Sequence, residues 1–171
     1  LFISGLDKKI YFIDSNLNVQ YTGCELHNSV QMPNTIIDGE HLTVDKYGNK
    51  INIYAAFDLY CVTSMDVRRF PFKKNRTKEQ VKENKQFHYS ETRYSYLKHI
   101  VDYINEEGKM LSKHLTIQVK DFIFSNKNDE TSIFKCCNTL LTYIKGNKYP
   151  YQTDGIIFTS VSLGVNQEGE K

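Results

Sequence analysis

Two long β-branched and aromatic runs lie on either side of one short turn, and they constrain the fold of this chain more than any other feature. Thr35–Asp45 reads Thr-Ile-Ile-Asp-Gly-Glu-His-Leu-Thr-Val-Asp, and Ile51–Val62 reads Ile-Asn-Ile-Tyr-Ala-Ala-Phe-Asp-Leu-Tyr-Cys-Val. Lys46-Tyr47-Gly48-Asn49 separates them, with Gly48 and Asn49 suited to positive φ. Residues of this kind fit a pleated, half-buried surface, so the pair predicts a long antiparallel hairpin. Leu1–Ser4 and Lys9–Asp14, around Gly5-Leu6-Asp7-Lys8, predict a second hairpin, and Asn18–Thr22 a further strand ending before Gly23.

The period then changes. Tyr94, Leu97, Ile100, Val101 and Ile104 fall on one helical stripe, predicting a helix over about 91–107 with Gly108 as its stop. Residues 114–124 return to strand character. A second amphipathic helix is predicted over about 130–145, with Ile133, Cys137, Leu140, Leu141 and Ile144 inward and Gly146 beyond its end. Gly155–Ser160 reads as a last strand. Strands followed by helix, strand, helix, strand give an α+β class, mostly antiparallel with flanking helices.

The 171 residues suit one domain, and 40% hydrophobic with 25% charged residues is a globular balance. The net charge of +2 says little by itself about a nucleic-acid partner. Cys24, Cys61, Cys136 and Cys137 form no C-x-x-C pair and read as reduced thiols of an intracellular protein. The five histidines show no H-E-x-x-H spacing, so no zinc site is expected. No apolar run reaches the roughly 20 residues of a membrane span, and no membrane partner is expected. A signal peptide is not evident either. The chain opens without methionine, in what reads as strand interior, and closes on the polar run Asn166–Lys171. The expectation is a piece of a longer polypeptide, cut at both ends.

Three segments carry chemistry. In Ile36-Ile37-Asp38-Gly39-Glu40, the two acids stand two apart and share one strand face. Carboxylates inside a β-branched strand are costly unless they bind something, and Gly39 leaves room for a ligand or backbone to come close. In Tyr54-Ala55-Ala56-Phe57-Asp58, small residues precede Phe57 and leave space before an aromatic face on which a base can stack. Thr153-Asp154-Gly155-Ile156-Ile157-Phe158 opens an apolar strand with an acid–glycine step. Singly, an Asp-Gly pair is more often a turn and a strand aromatic more often core.

In that order the three resemble motifs III, IIIa and IV of the covalent nucleotidyltransferase superfamily, which holds mRNA-capping guanylyltransferases and ATP-dependent DNA and RNA ligases. The resemblance covers nearly the whole chain. It implies a nucleotidyltransferase fold and a two-step reaction, in which a lysine takes a nucleoside monophosphate from a triphosphate and passes it to a nucleic-acid end. It also implies Mg2+ or Mn2+, hard cations held by carboxylates, as cofactor. Carried over, Glu40 binds the ribose and contributes to metal binding, Phe57 stacks on the base, and Asp154 holds metal or its water near the α-phosphate. Asp38 is the structural member, bonding backbone amides near Glu40. The catalytic expectation therefore falls on Glu40 and Asp154.

The sequence departs from the family in two places. Its K-x-D-G lysine is absent and is expected upstream of Leu1; its K-x-K motif V, and an OB-fold domain, are expected downstream of Lys171. Ser15 stands where many capping enzymes carry arginine. Motif IV opens with Asp154, whereas ligases usually open it with glutamate. The stretch 151–159, followed by Leu163-Gly164-Val165, resembles capping enzymes of giant and other large cytoplasmic DNA viruses. The resemblance thus implies a guanylyltransferase with GTP and the 5′ end of RNA as partners, alongside triphosphatase or methyltransferase domains or subunits. The expected location is the cytoplasm, in a viral factory or virion. A ligase adenylation domain and a non-catalytic nucleotide-binding module are the alternatives. Lys73–Lys85 carries six cations and two acids and reads as a solvated stretch or an RNA contact.

Overall fold

The structure, a computed structural model, describes residues 1–74, 92–112, 114–125 and 132–165. Most of the basic stretch and the polar end after 165 lie outside the described residues.

One curled, mostly antiparallel sheet organises the chain. Its strands are β1 (Phe2–Ile3), β2 (Lys9–Ile13), β3 (Val19–Glu25), β4 (Thr35–Val44), β5 (Lys50–Val62), β6 (Met65–Asp66) and β7 (Thr116–Val119). They lie in the order β3-β2-β1-β4-β5-β6, with β7 beside β5 and parallel to it. Among the described residues two helices follow the meander: α1 (Arg93–Ile104) and α2 (Ile133–Lys145). The α+β class expected from the sequence is what the fold has.

The long hairpin forms as predicted and closes with a side-chain device. Asp45 Oδ1 accepts the Tyr47 and Asn49 amides at 2.8 Å each, and its Oδ2 accepts Asn49 Nδ2 at 2.8 Å. Asp14 repeats this between β2 and β3, accepting the Asn16 and Asn18 amides and Asn18 Nδ2. An Asp four residues before an Asn thus staples both turns. Gly23 does not end β3: at φ +79° it carries an irregularity in the β2–β3 register, and the strand runs on to Glu25. Nothing in the sequence predicts β6. It returns from β5 through Thr63 and Ser64, which both take positive φ, the geometry of a two-residue hairpin turn.

The core lies between the sheet and α1. Leu97, Ile100, Val101 and Ile104, the predicted stripe, are buried against β5 and β7, with Ile37, Leu59 and Ile117 across from them. Thr92 caps α1, its side chain accepting the Ser95 amide at 3.3 Å.

Two expectations fail. Helix α2 does not turn its predicted apolar stripe inward: only Cys136 is buried, and Ile133 and Leu141 are exposed together with Phe134. The helix follows its own 3.6-residue period, but among the described residues it has no sheet face to pack on. Gly155–Ser160 is not a strand, and Ile157 and Phe158 are 84% and 68% exposed. This stretch finds its backbone partners further on. Val161 accepts the Lys73 amide at 2.9 Å, and Val165 donates to Arg68 at 2.7 Å. Strand β7 is also shorter than expected, because its ladder stops where β5 becomes irregular beside Ala56.

Candidate functional site

The irregularity comes from the register of β4 on β5. Asp38 pairs with Asp58, but its neighbour Gly39 pairs with Ala56, so Phe57 is an extra residue with no partner across the ladder. A bulge of this kind bends the strand and re-aims a side chain. Gly39 is what permits it. A Cβ at Gly39 would lie 2.5 Å from Tyr54 Cε1 and 2.8 Å from the Ala55 carbonyl oxygen. The room that the sequence suggested for a ligand is filled by the Tyr54 ring, whose hydroxyl donates to the Ile37 carbonyl at 3.0 Å. Burial and the nearby Asp38 carboxylate push the Tyr54 phenol well above its usual range.

Glu40 lies one residue beyond the bulge, on the exposed side. Its Oε2 accepts Lys120 Nζ at 2.7 Å, and the same ammonium lies 5.4 Å from the centre of the half-buried Phe57 ring. Lys120 is placed by the end of β7, its amide donating to the Ala56 carbonyl at 2.7 Å. A carboxylate, an ammonium and an aromatic face therefore meet on one patch. Tyr151 borders it: burial raises the phenol pKa first, then the charges of Asp121 and Glu40. Such a patch can stack a flat ring, accept from hydroxyls and donate to anionic or carbonyl oxygens.

Behind Phe57 two further motif acids, Asp58 and Asp38, are held by the fold. Asp58 takes a fork from Arg93, with Nε to Oδ1 at 2.8 Å and Nη2 to Oδ2 at 3.1 Å. Arg93 is 3% exposed and also donates to the Leu163 carbonyl at 3.0 Å and to the Phe70 carbonyl. One guanidinium thus ties the bulge, the start of α1 and the chain after Asp154 together. Asp38 accepts the Gly39 amide at 3.0 Å and the Tyr60 hydroxyl, the structural bonding expected of it.

Of the three chosen site residues, the structure brings Glu40 and Phe57 together through Lys120. Asp154 is exposed, and among the described residues no hydrogen bond or ion pair engages its carboxylate or links it to the other two. Among the described residues no three His, Cys, Asp or Glu side chains gather to hold a metal. Mg2+ commonly takes one or two carboxylates plus substrate phosphates and water, and Glu40 and Asp154 are exposed carboxylates of that type. Lys120 and Arg93 were missed because each is distant in sequence from its partner; the lone signal was a lysine ending the alternating run 115–119. His41 stacks on Phe12 at 4.2 Å and bonds Asn52, apart from Glu40's contacts.

The fold and patch define an α+β chain with an ion-paired aromatic platform at a bulged strand. No protein-family model, curated protein or solved structure matches the chain.

Proposed function

We propose that this chain is the central part of a covalent nucleotidyltransferase, an mRNA 5′-cap guanylyltransferase acting on GTP and the 5′-diphosphate end of RNA. The observation that carries the reading is the convergence of Glu40 and Phe57 on Lys120 at a bulge seated against Gly39. A nucleoside laid on Phe57 has its ring stacked, and its ribose hydroxyls can donate to Glu40. Stacking of this kind is worth about 1–3 kcal/mol per base. Asp154, as an open carboxylate, would hold a Mg2+ or Mn2+ ion, whose chemistry is to offset charge gathering on the α-phosphate.

The reaction forms a bond between the expected upstream lysine nitrogen and the α-phosphorus, and breaks the α–β phosphoanhydride so that pyrophosphate leaves. A β-phosphate oxygen of the RNA end then attacks the same phosphorus and returns the bonding pair to the lysine. The preference for GTP rests on Asp154 opening its motif where ligases place glutamate.

The test uses the parent polypeptide, from the upstream lysine through the downstream K-x-K segment. Incubated with Mg2+ and α-labelled GTP, it should acquire an acid-labile, alkali-stable protein-bound label. Glu40→Ala and Asp154→Ala should each lower labelling by at least about 100-fold while leaving the thermal transition in place. Labelling by ATP alone would give the activity to a ligase. Full labelling of both variants would remove Glu40 and Asp154 from the site, and no labelling with either nucleotide would leave only a binding module.

A further inference from the structure

The run that leaves Lys120 carries a second surface that the nucleotide patch does not use. Phe122 and Phe124, the second and fourth residues after Lys120, share a side because both pack against Phe72 and Tyr94. Asp121 goes the other way and is held by Lys148 Nζ at 2.6 Å and the Tyr149 hydroxyl at 3.0 Å. The two phenyl rings lie nearly parallel, at 17° and 6.1 Å between centres. Tyr94 from α1 meets both edge-on, at 5.5 and 5.1 Å, and buried Phe72 supports them from beneath. The rings are therefore fixed before any ligand arrives, and they remain half-exposed.

Lys73 completes the surface. Its ammonium lies 3.5 Å from the centre of the Phe124 ring, and its amide is tied to Val161. Among the described residues no carboxylate pairs with it. Partial burial lowers its pKa. A cation held on a ring is complementary to an anion, and the adjoining ring faces are complementary to flat bases.

We propose that Lys73, Phe122 and Phe124 form a binding path for single-stranded nucleic acid, with a phosphate at Lys73 and bases stacked on the two phenyl rings. Chain continuity favours this occupant over an acidic peptide, because the row begins beside Lys120 and so leads a strand end toward the Phe57 patch. The path deepens the nucleotidyl-transfer reading by naming where the acceptor lies, yet its binding is measured without nucleotide or metal.

The experiment is fluorescence anisotropy of a short 5′-labelled oligouridine, and of its deoxy counterpart, titrated with the full chain between about 50 and 200 mM salt. The wild type should bind with a log–log salt slope, and Lys73→Gln should weaken binding several-fold and reduce that slope by about one. Phe124→Leu should weaken binding about tenfold with the slope unchanged, as loss of stacking requires. Because Lys73 is a partly exposed surface cation, its variant stays interpretable even if the Phe124 variant fails to fold. Equal binding by wild type and Lys73→Gln would overturn the proposal. So would undiminished competition by duplex or heparin with no effect at Phe124, which would mean a bare polyanion site, or binding of an acidic peptide in place of the oligonucleotide. Loss of nucleotide labelling in the parent with Lys73-dependent binding intact would fault the transferase reading alone.

Discussion

A Cβ placed on Gly39 would sit inside van der Waals contact of both a ring carbon of Tyr54 and the Ala55 carbonyl oxygen, at 2.5 and 2.8 Å. The Ala55 oxygen is backbone and cannot swing aside, and Tyr54 is 4% exposed with its hydroxyl bonded. Gly39→Ala should therefore cost about 1–3 kcal/mol, the usual range for overpacking. A urea melt should show a lower midpoint at unchanged slope; an unaltered midpoint would mean that β4 and β5 are not so close. The same contact explains a misreading. The glycine beside two acids promised space for a ligand, whereas its role is to let β4 pass a tyrosine and so seat the bulge that turns Phe57. Glu40 and Phe57 were legible because a charge and an aromatic stand out in β-branched strands. Lys120 was not, since its meeting with Glu40 bridges a separation of 80 residues that no local pattern records.

At the scale of elements, the strands read well where period and turn chemistry agreed, as in both Asp–Asn hairpins. They read poorly where tertiary partners decided. The apolar run 155–160 has every local mark of a strand and still takes no ladder bonds. Conversely, β6 was invisible because its turn uses Thr63 and Ser64, residues that seldom accept positive φ, at +48° and +66°. A β-branched residue there is strained, and the surrounding bonds hold it: the Ser64 amide to the Asn34 carbonyl at 2.7 Å and the Thr63 amide to Thr35 Oγ1 at 3.3 Å. Replacing the pair with Asn-Gly (T63N together with S64G) keeps both amides and relieves the strain. The expected gain is about 1 kcal/mol, or roughly 3 °C in Tm for a chain of this size. A lower Tm would show that the Thr63 side chain contributes more than its backbone conformation costs.

For the molecule as a whole, the acid limb of stability follows from carboxylates that serve as turn and hairpin fasteners. Hydrogen bonds from the Ser4 and Tyr11 hydroxyls hold Asp7 at about 2, and the Arg68 guanidinium holds Asp66 at about 2. Bonds from Asn18 lower Asp14, and bonds from Asn49 lower Asp45. Each group binds protons less readily folded than unfolded, where an aspartate titrates near 3.9. Their stabilisation is therefore complete above about pH 4 and is lost as pH falls toward about 2, because the unfolded chain takes up more protons over that window. All four lie at the surface, so the pair with Arg68 weakens further in salt while the amide-bonded ones hold. Scanning Tm from pH 5 to pH 2 should show a steady decline. The chain also gains net positive charge over that range, so a second protein separates the two causes. With Asp7, Asp14, Asp45 and Asp66 all replaced by asparagine, the decline should be visibly shallower than in the wild type. Equal slopes would assign acid unfolding to general repulsion and deny these turns any part in it.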